Sequence, residues 1–314
     1  MSIRIKEKQS FHLNKVLKTI IIKILNGSDY WMKSYRKLFF ILLISCLSIS
    51  IFTNLAFAEN NYILDYKEKE NKIVTTTKHA ELHIEKNYIK KEEIYNIAEK
   101  IEKGIRNLKN YLGEHNKYNF KEYGKIKYFI QSGNKISHAI RSSNSVELYH
   151  VHLKQSPYIH ETAHILLDEN QIEIPDSWLS EGLPTYLNSK FAVYPPELVG
   201  DKNNPEELTK DIIRNEKEKY ELQLEYFPKK FHRDENEKWV FYSFAGSFVK
   251  FIKNKYGKEK LLELYQVERK KTVTILALED NSNKDTEKTE RSLEQLIGTS
   301  LNELKKEWLD SLQI

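Results

Sequence analysis

Cysteine is almost missing from this chain: its 314 residues contain one, Cys46. No disulfide can close within it, and no thiolate cluster can hold a metal. An excess of charge of one sign is missing as well. Of 50 Lys and Arg residues, nine lie in 1–37 beside two acidic ones, and residues 38–58 carry no charge. From Glu59 onward 41 basic residues therefore face 43 acidic ones. That balance excludes a domain built to grip nucleic acid. No internal repeat is present, which excludes a solenoid or propeller.

What is there begins with an uncharged apolar run, Leu38–Leu55. Lys33, Arg36 and Lys37 precede it, and Ala56-Phe57-Ala58 follows as a small-x-small cleavage signature. Met32–Ala58 by itself makes a complete secretory signal peptide, with translation starting at Met32 and the mature chain at Glu59. Residues 1–58 thus read as a leader. Two alternatives stay open. One is an uncleaved signal anchor over 38–57 with the positive flank inside. The other is lipidation at Cys46, within Leu43-Ile44-Ser45-Cys46, although the residues after Cys46 stay apolar through Phe52. The expected location is secreted, or else anchored at the outer face of the cytoplasmic membrane through that leader alone. An exported domain without disulfides needs a full core, and the 256 residues from Glu59 onward suffice for one.

Asn60–Lys78 is polar and reads as a loose arm over 59–78, with a folded domain over 79–314. His79–Ile84 alternates as a strand with Ala80, Leu82 and Ile84 on one face. Lys91–Leu112 carries a helical repeat through Ile94, Ala98, Ile101, Ile105 and Leu108, stopped by Gly113. Lys125–Ile130 and Val146–Leu153 read as further strands. Helices are expected over Pro175–Phe191, Glu206–Leu222 and Trp239–Tyr256, a polar loop over Asn281–Glu290, and one or two closing helices within Ser292–Leu312. The sum is an α+β layout, strands first and helices after.

The chemistry concentrates in His160-Glu161-Thr162-Ala163-His164, an H-E-x-x-H segment. Residues four apart share a helix face, so the two imidazoles can meet at one centre. Ser156-Pro157 suits the helix start, and Ile159, Ala163, Ile165, Leu166 and Leu167 supply apolar content. Two neutral imidazoles at this spacing suit Zn²⁺, and a glutamate oxygen can be the third ligand, leaving a position for water. Glu161 stands where it can take a proton from that water. The alternative is a buried amphipathic helix with two hydrogen-bonded histidines. Fourteen positions past His164 begins Trp178-Leu179-Ser180-Glu181-Gly182, which offers Glu181. Gly182 and Pro184 place Glu181 near its helix start.

These stretches resemble the gluzincin zinc metallopeptidases, in particular the peptidase-MA-like group related to the aminopeptidase N catalytic domain. The likeness is carried by His160–His164, by Trp178–Tyr186 and by Tyr242–Gly257, with a weaker echo in Leu301–Leu312 around Glu307-Trp308. It spans residues 79–314 and implies a zincin-like, thermolysin-like catalytic domain with a small mixed N-terminal sheet and a helical C-terminal part. It implies one zinc per chain on His160, His164 and Glu181, with Glu161 as general base. Tyr242 becomes the donor to the oxyanion of the tetrahedral intermediate, against the bland reading of a half-buried helix aromatic. Val146–Leu153 becomes the edge strand along which an extended substrate lies. Two departures matter. Sixteen residues separate His164 from Glu181, fewer than the family's spacer of about eighteen. No G-x-M-E-N-like segment that would hold a substrate amine precedes His160. The expected activity is therefore an exported zinc-dependent hydrolysis of peptide bonds, as an endopeptidase rather than an aminopeptidase, on a peptide or protein substrate. The rival is a non-catalytic cell-surface binding protein that keeps the fold.

Weaker candidates are His150 and His152, two apart and so on one strand face, and Asp168, four past His164 and able to orient a ligand imidazole. His79, His83, His115, His138 and His232 show no ligand spacing and read as surface residues.

Overall fold

The computed structural model describes residues 63, 65–151, 156–167, 177–192, 204–228, 238–277, 291 and 293–313. The leader, His152, Asp168, His232 and the loop expected over Asn281–Glu290 lie outside them. Among the described residues no helix is long and apolar enough to cross a membrane.

Six strands form one mixed sheet: β1 (Asp65–Glu68), β2 (Lys72–Thr76), β3 (Ala80–Glu85), β4 (Ile126–Ile130), β5 (His138–Ile140) and β6 (Ser145–Leu148). Their spatial order is β1-β2-β3-β4-β6-β5. β3, β4 and β6 run parallel, while β1, β2 and β5 pair antiparallel. The alternation expected from the sequence holds. Ala80, Leu82, Ile84, Ile126, Tyr128, Ile130, Val146 and Leu148 are buried on the packed face. Where the sequence pattern predicts a loose arm, β1 and β2 instead add a hairpin to the sheet. Ile73 and Thr75 turn inward, and Thr75 Oγ1 donates to the Asp65 carbonyl at 2.9 Å. Only Ile73 and Thr75 of this strand pair are fully buried, and most of its other side chains are polar, so a hydropathy pattern barely registers it.

The α-helices with bounds among the described residues are α1 (Lys91–Leu112), α2 (Phe120–Tyr123), α3 (Tyr158–Leu167), α4 (Trp178–Phe191), α5 (Pro205–Asn215), α6 (Glu221–Tyr226), α7 (Lys238–Tyr256), α8 (Lys258–Ala277) and α9 (Leu301–Ser311). α1 has the expected bounds, with Glu92 and Glu93 in its first turn and Gly113 at φ 57° ending it. It joins β3 to its parallel neighbour β4 and packs on β3 and on α3. The single helix expected over Glu206–Leu222 divides into α5 and α6, with Glu216–Tyr220 between them. α8 is not anticipated by the sequence pattern.

The α+β class is as expected. The substrate strand is not. The segment expected as an edge over Val146–Leu153 forms β6, which ends at Leu148 and lies inside the sheet between β4 and β5. Among the described strands the edge on this side belongs to β5, whose Ala139 pairs with Val146. Its three residues are too few to stand out in a sequence.

Candidate active site

α3 carries His160, Glu161 and His164, all buried. It is anchored to the sheet through Thr162: the Tyr128 hydroxyl of β4 meets Thr162 Oγ1 at 2.6 Å, and Thr162 Oγ1 donates to the Tyr158 carbonyl at 2.5 Å. This fixes the rotation of α3, so that its histidine face turns toward α4.

α4 starts in a reciprocal cap. Ser177 Oγ accepts from the N–H groups of Leu179 and Ser180, and Ser180 Oγ accepts from Ser177 N–H. Glu181 consequently falls in the first turn, as expected, and Pro184 lies inside the helix. One face of α4 then serves α3 at three heights. Glu181 Oε2 lies 3.2 Å from His160 Nε2 and 3.6 Å from His164 Nε2. Thr185 Oγ1 lies 3.4 Å from His160 Nδ1, and Asn188 Oδ1 accepts the backbone N–H of His160 at 3.3 Å. Thr185 and Asn188 were not singled out in the sequence. Their spacing from Glu181, four and seven residues on, is the signal that finds them, because such positions share a helix face.

His160 Nε2 and His164 Nε2 are 3.1 Å apart. With the two Glu181 distances this makes a nearly equilateral triangle of donor atoms. An ion 2.0–2.1 Å from each of three tetrahedrally placed ligands sets those ligands about 3.3–3.4 Å apart. The triangle fits Zn²⁺ in size and in donor chemistry. His160, Glu161 and His164 also form a group with ligand atoms within 4.8 Å of one another. Glu181, at 3.2 and 3.6 Å, is the closer carboxylate and the better third ligand.

The two carboxyls are pushed apart electrostatically. Burial raises the Glu161 pKa, and the Glu181 charge adds to that, while the histidines and a hydrogen bond from Ala139 N–H on β5 work against it; the net direction is upward. Burial pushes Glu181 up too, but His164 and His160 outweigh it, and its carboxyl lies well below the ordinary 4.5. Burial lowers His160, and the Glu181 hydrogen bond and the charges of Glu161 and Glu181 reverse that to a net rise. One carboxylate stays ionised, and the other is tuned toward accepting a proton, the arrangement that separates a ligand from a base.

Tyr242 on α7 is brought to the site: its ring lies 5.7 Å from that of His160. Arg141, in the 3₁₀ turn after β5, was missed in the sequence; its Nη2 lies 3.0 Å from His164 Nδ1. The strand-face argument does not hold for His150, and His152 lies outside the described residues. β6 stops at Leu148, and His150 follows in a left-handed conformation, φ 57°, off the strand. His79, expected at the surface, is buried, because Glu102 accepts from its backbone N–H at 2.9 Å and meets its Nδ1 at 2.6 Å. Compared with protein-family models, curated proteins and solved structures, the chain matches none.

Proposed function

We propose that this protein is an exported, zinc-dependent peptidase of the gluzincin kind, with a zincin-like catalytic domain. The observation that carries this reading is the triangle of His160 Nε2, His164 Nε2 and Glu181 Oε2, 3.1 to 3.6 Å on a side, beside a second carboxyl shifted the other way. His160, His164 and Glu181 would hold the ion, which when bound supplies Lewis acidity toward a peptide carbonyl and an acidified water. Glu161, with its raised pKa, takes the proton of the attacking water and returns it to the leaving amine. The Ala139 N–H fixes the Glu161 carboxylate, and the edge of β5 is the place for an extended substrate backbone. Tyr242, beside His160, donates to the carbonyl oxygen as it becomes an oxyanion. The missing G-x-M-E-N-like segment favours endopeptidase over aminopeptidase cleavage.

A cell-surface binding protein that keeps this scaffold without turnover has one contact in its favour, the arginine against His164. The two readings separate on zinc content and on hydrolysis of casein or a peptide library, compared between wild type and Glu161→Gln. The expected result is one zinc per chain in both when zinc is supplied in excess, and a loss of at least about 10²-fold in rate in the variant. Equal rates in the two would sink the mechanism.

A further inference from the structure

His160 and His164 are held at their outer nitrogens by groups of opposite character. Thr185 Oγ1 stands 3.4 Å from His160 Nδ1 and can accept its hydrogen. Arg141 Nη2 stands 3.0 Å from His164 Nδ1, and a guanidinium only donates. Nδ1 of His164 must therefore accept. A neutral imidazole that accepts at Nδ1 carries its hydrogen on Nε2, the atom that faces His160 Nε2 at 3.1 Å and Glu181 Oε2 at 3.6 Å. Metal-bound histidines ordinarily donate their outer N–H to an oxygen, which keeps the inner lone pair on the ion. His160 has such a partner. His164 has the reverse.

We propose that Arg141 is a positioning residue that opposes metal binding at His164, so that the centre holds its ion weakly and loads only when the guanidinium leaves the ring. The inference rests on the metal centre proposed above. When an ion takes Nε2, the hydrogen there passes through solvent to Nδ1, and the Arg141–His164 hydrogen bond breaks because two donors would then face each other. The positive charge of Arg141 acts in the same sense on a divalent cation. Arg141 follows β5 directly, two residues past the Ala139 that holds Glu161. The same short segment thus touches both the base and a ligand.

The test has two readouts on the full chain. In the metal-stripped protein, long-range ¹H–¹⁵N imidazole spectra should place the His164 hydrogen on Nε2 in the wild type. In Arg141→Gln, whose amide oxygen can accept, it should move to Nδ1. Zinc affinity by chelator competition should rise about 10- to 100-fold in Arg141→Gln and stay near wild type in the donor-only Arg141→Lys. Should the Gln variant fold poorly, Arg141→Met, which removes every donor, should bind zinc more tightly than wild type. A wild-type His164 with its hydrogen on Nδ1 overturns the proposal, as does unchanged or weaker zinc binding in the Gln and Met variants. Failure of every form to bind zinc overturns the metal centre itself, and this proposal with it.

Discussion

Two buried carboxyls away from the donor triangle show how a single side chain's partners decide its charge. Glu102 on α1 accepts from Thr77 Oγ1 at 2.6 Å and from the His79 N–H at 2.9 Å. Burial pushes its pKa up, but the hydrogen bonds from His79 and Thr77 prevail, and the carboxyl lies below its ordinary value. Glu268 on α8 accepts from Ser177 Oγ at 2.8 Å, and there burial prevails, lifting its pKa to about 7. A carboxyl raised in this way keeps its proton in the folded state after the unfolded chain has lost its own. Its favourable contribution is complete below the ordinary 4.5 and is lost as pH rises through about 7. The loss amounts to roughly 3 kcal/mol above that range. Glu268→Gln keeps the acceptor for Ser177 and has no proton to lose. Thermal unfolding of the variant should not show this decline between pH 5 and 8; an identical decline in both proteins would remove Glu268 as its source. Neither carboxyl was legible in the sequence, since each looks like one more glutamate on a charged helix.

At the scale of the element, α4 depends on a close crossing. Among the described helices, α4 and α7 share the most extensive contact, and they meet at Gly182 and Gly246. A methyl group on Gly182 would stand 2.6 Å from the Ala245 carbonyl oxygen, a backbone atom that cannot swing aside. Gly182→Ala must therefore push α4 off α7 and carry the adjacent Glu181 with it. The expected cost is about 1–3 kcal/mol in chemical denaturation. At the proposed zinc centre, affinity should fall about tenfold in chelator competition, the size of effect seen when a metal ligand loses its support. A variant that loses stability yet binds zinc as wild type would show that the crossing does not set Glu181. The sequence marks Gly182 as a helix-start signal, and that much was legible. Its packing role was not, because the atom it must avoid lies 63 positions further on.

At the scale of the molecule, the closing helix plugs the helical half. Trp308 on α9 is fully buried. Its ring centre lies 5.3–6.1 Å from those of Phe227, Phe248 and Phe244, and its Nε1 donates to Ser247 Oγ at 3.0 Å. Through α7 this cluster backs the helix that bears Tyr242. Trp308→Ala should cost about 3–5 kcal/mol of stability, read as a lower denaturation midpoint. If the midpoint does not move, the plug is not what holds α7. Glu307-Trp308 was visible as a pair near the chain end, but its target was not.

By itself the sequence determined the α+β class, the bounds of α1, the helix that carries His160, Glu161 and His164, and the place of Glu181 in the first turn of another. Those readings rest on short-range periodicity: side chains two, three or four apart share a face whatever the rest of the chain does. Only the tertiary structure decided that β5 rather than β6 is the edge among the described strands, that residues 65–76 join the sheet, and that Thr185, Asn188 and Arg141 stand against the histidines. Strand order and partners across helices depend on contacts between segments distant in sequence, which no local period encodes. The H-E-x-x-H spacing brings two imidazoles to one face, and the fold decides what stands behind each of them.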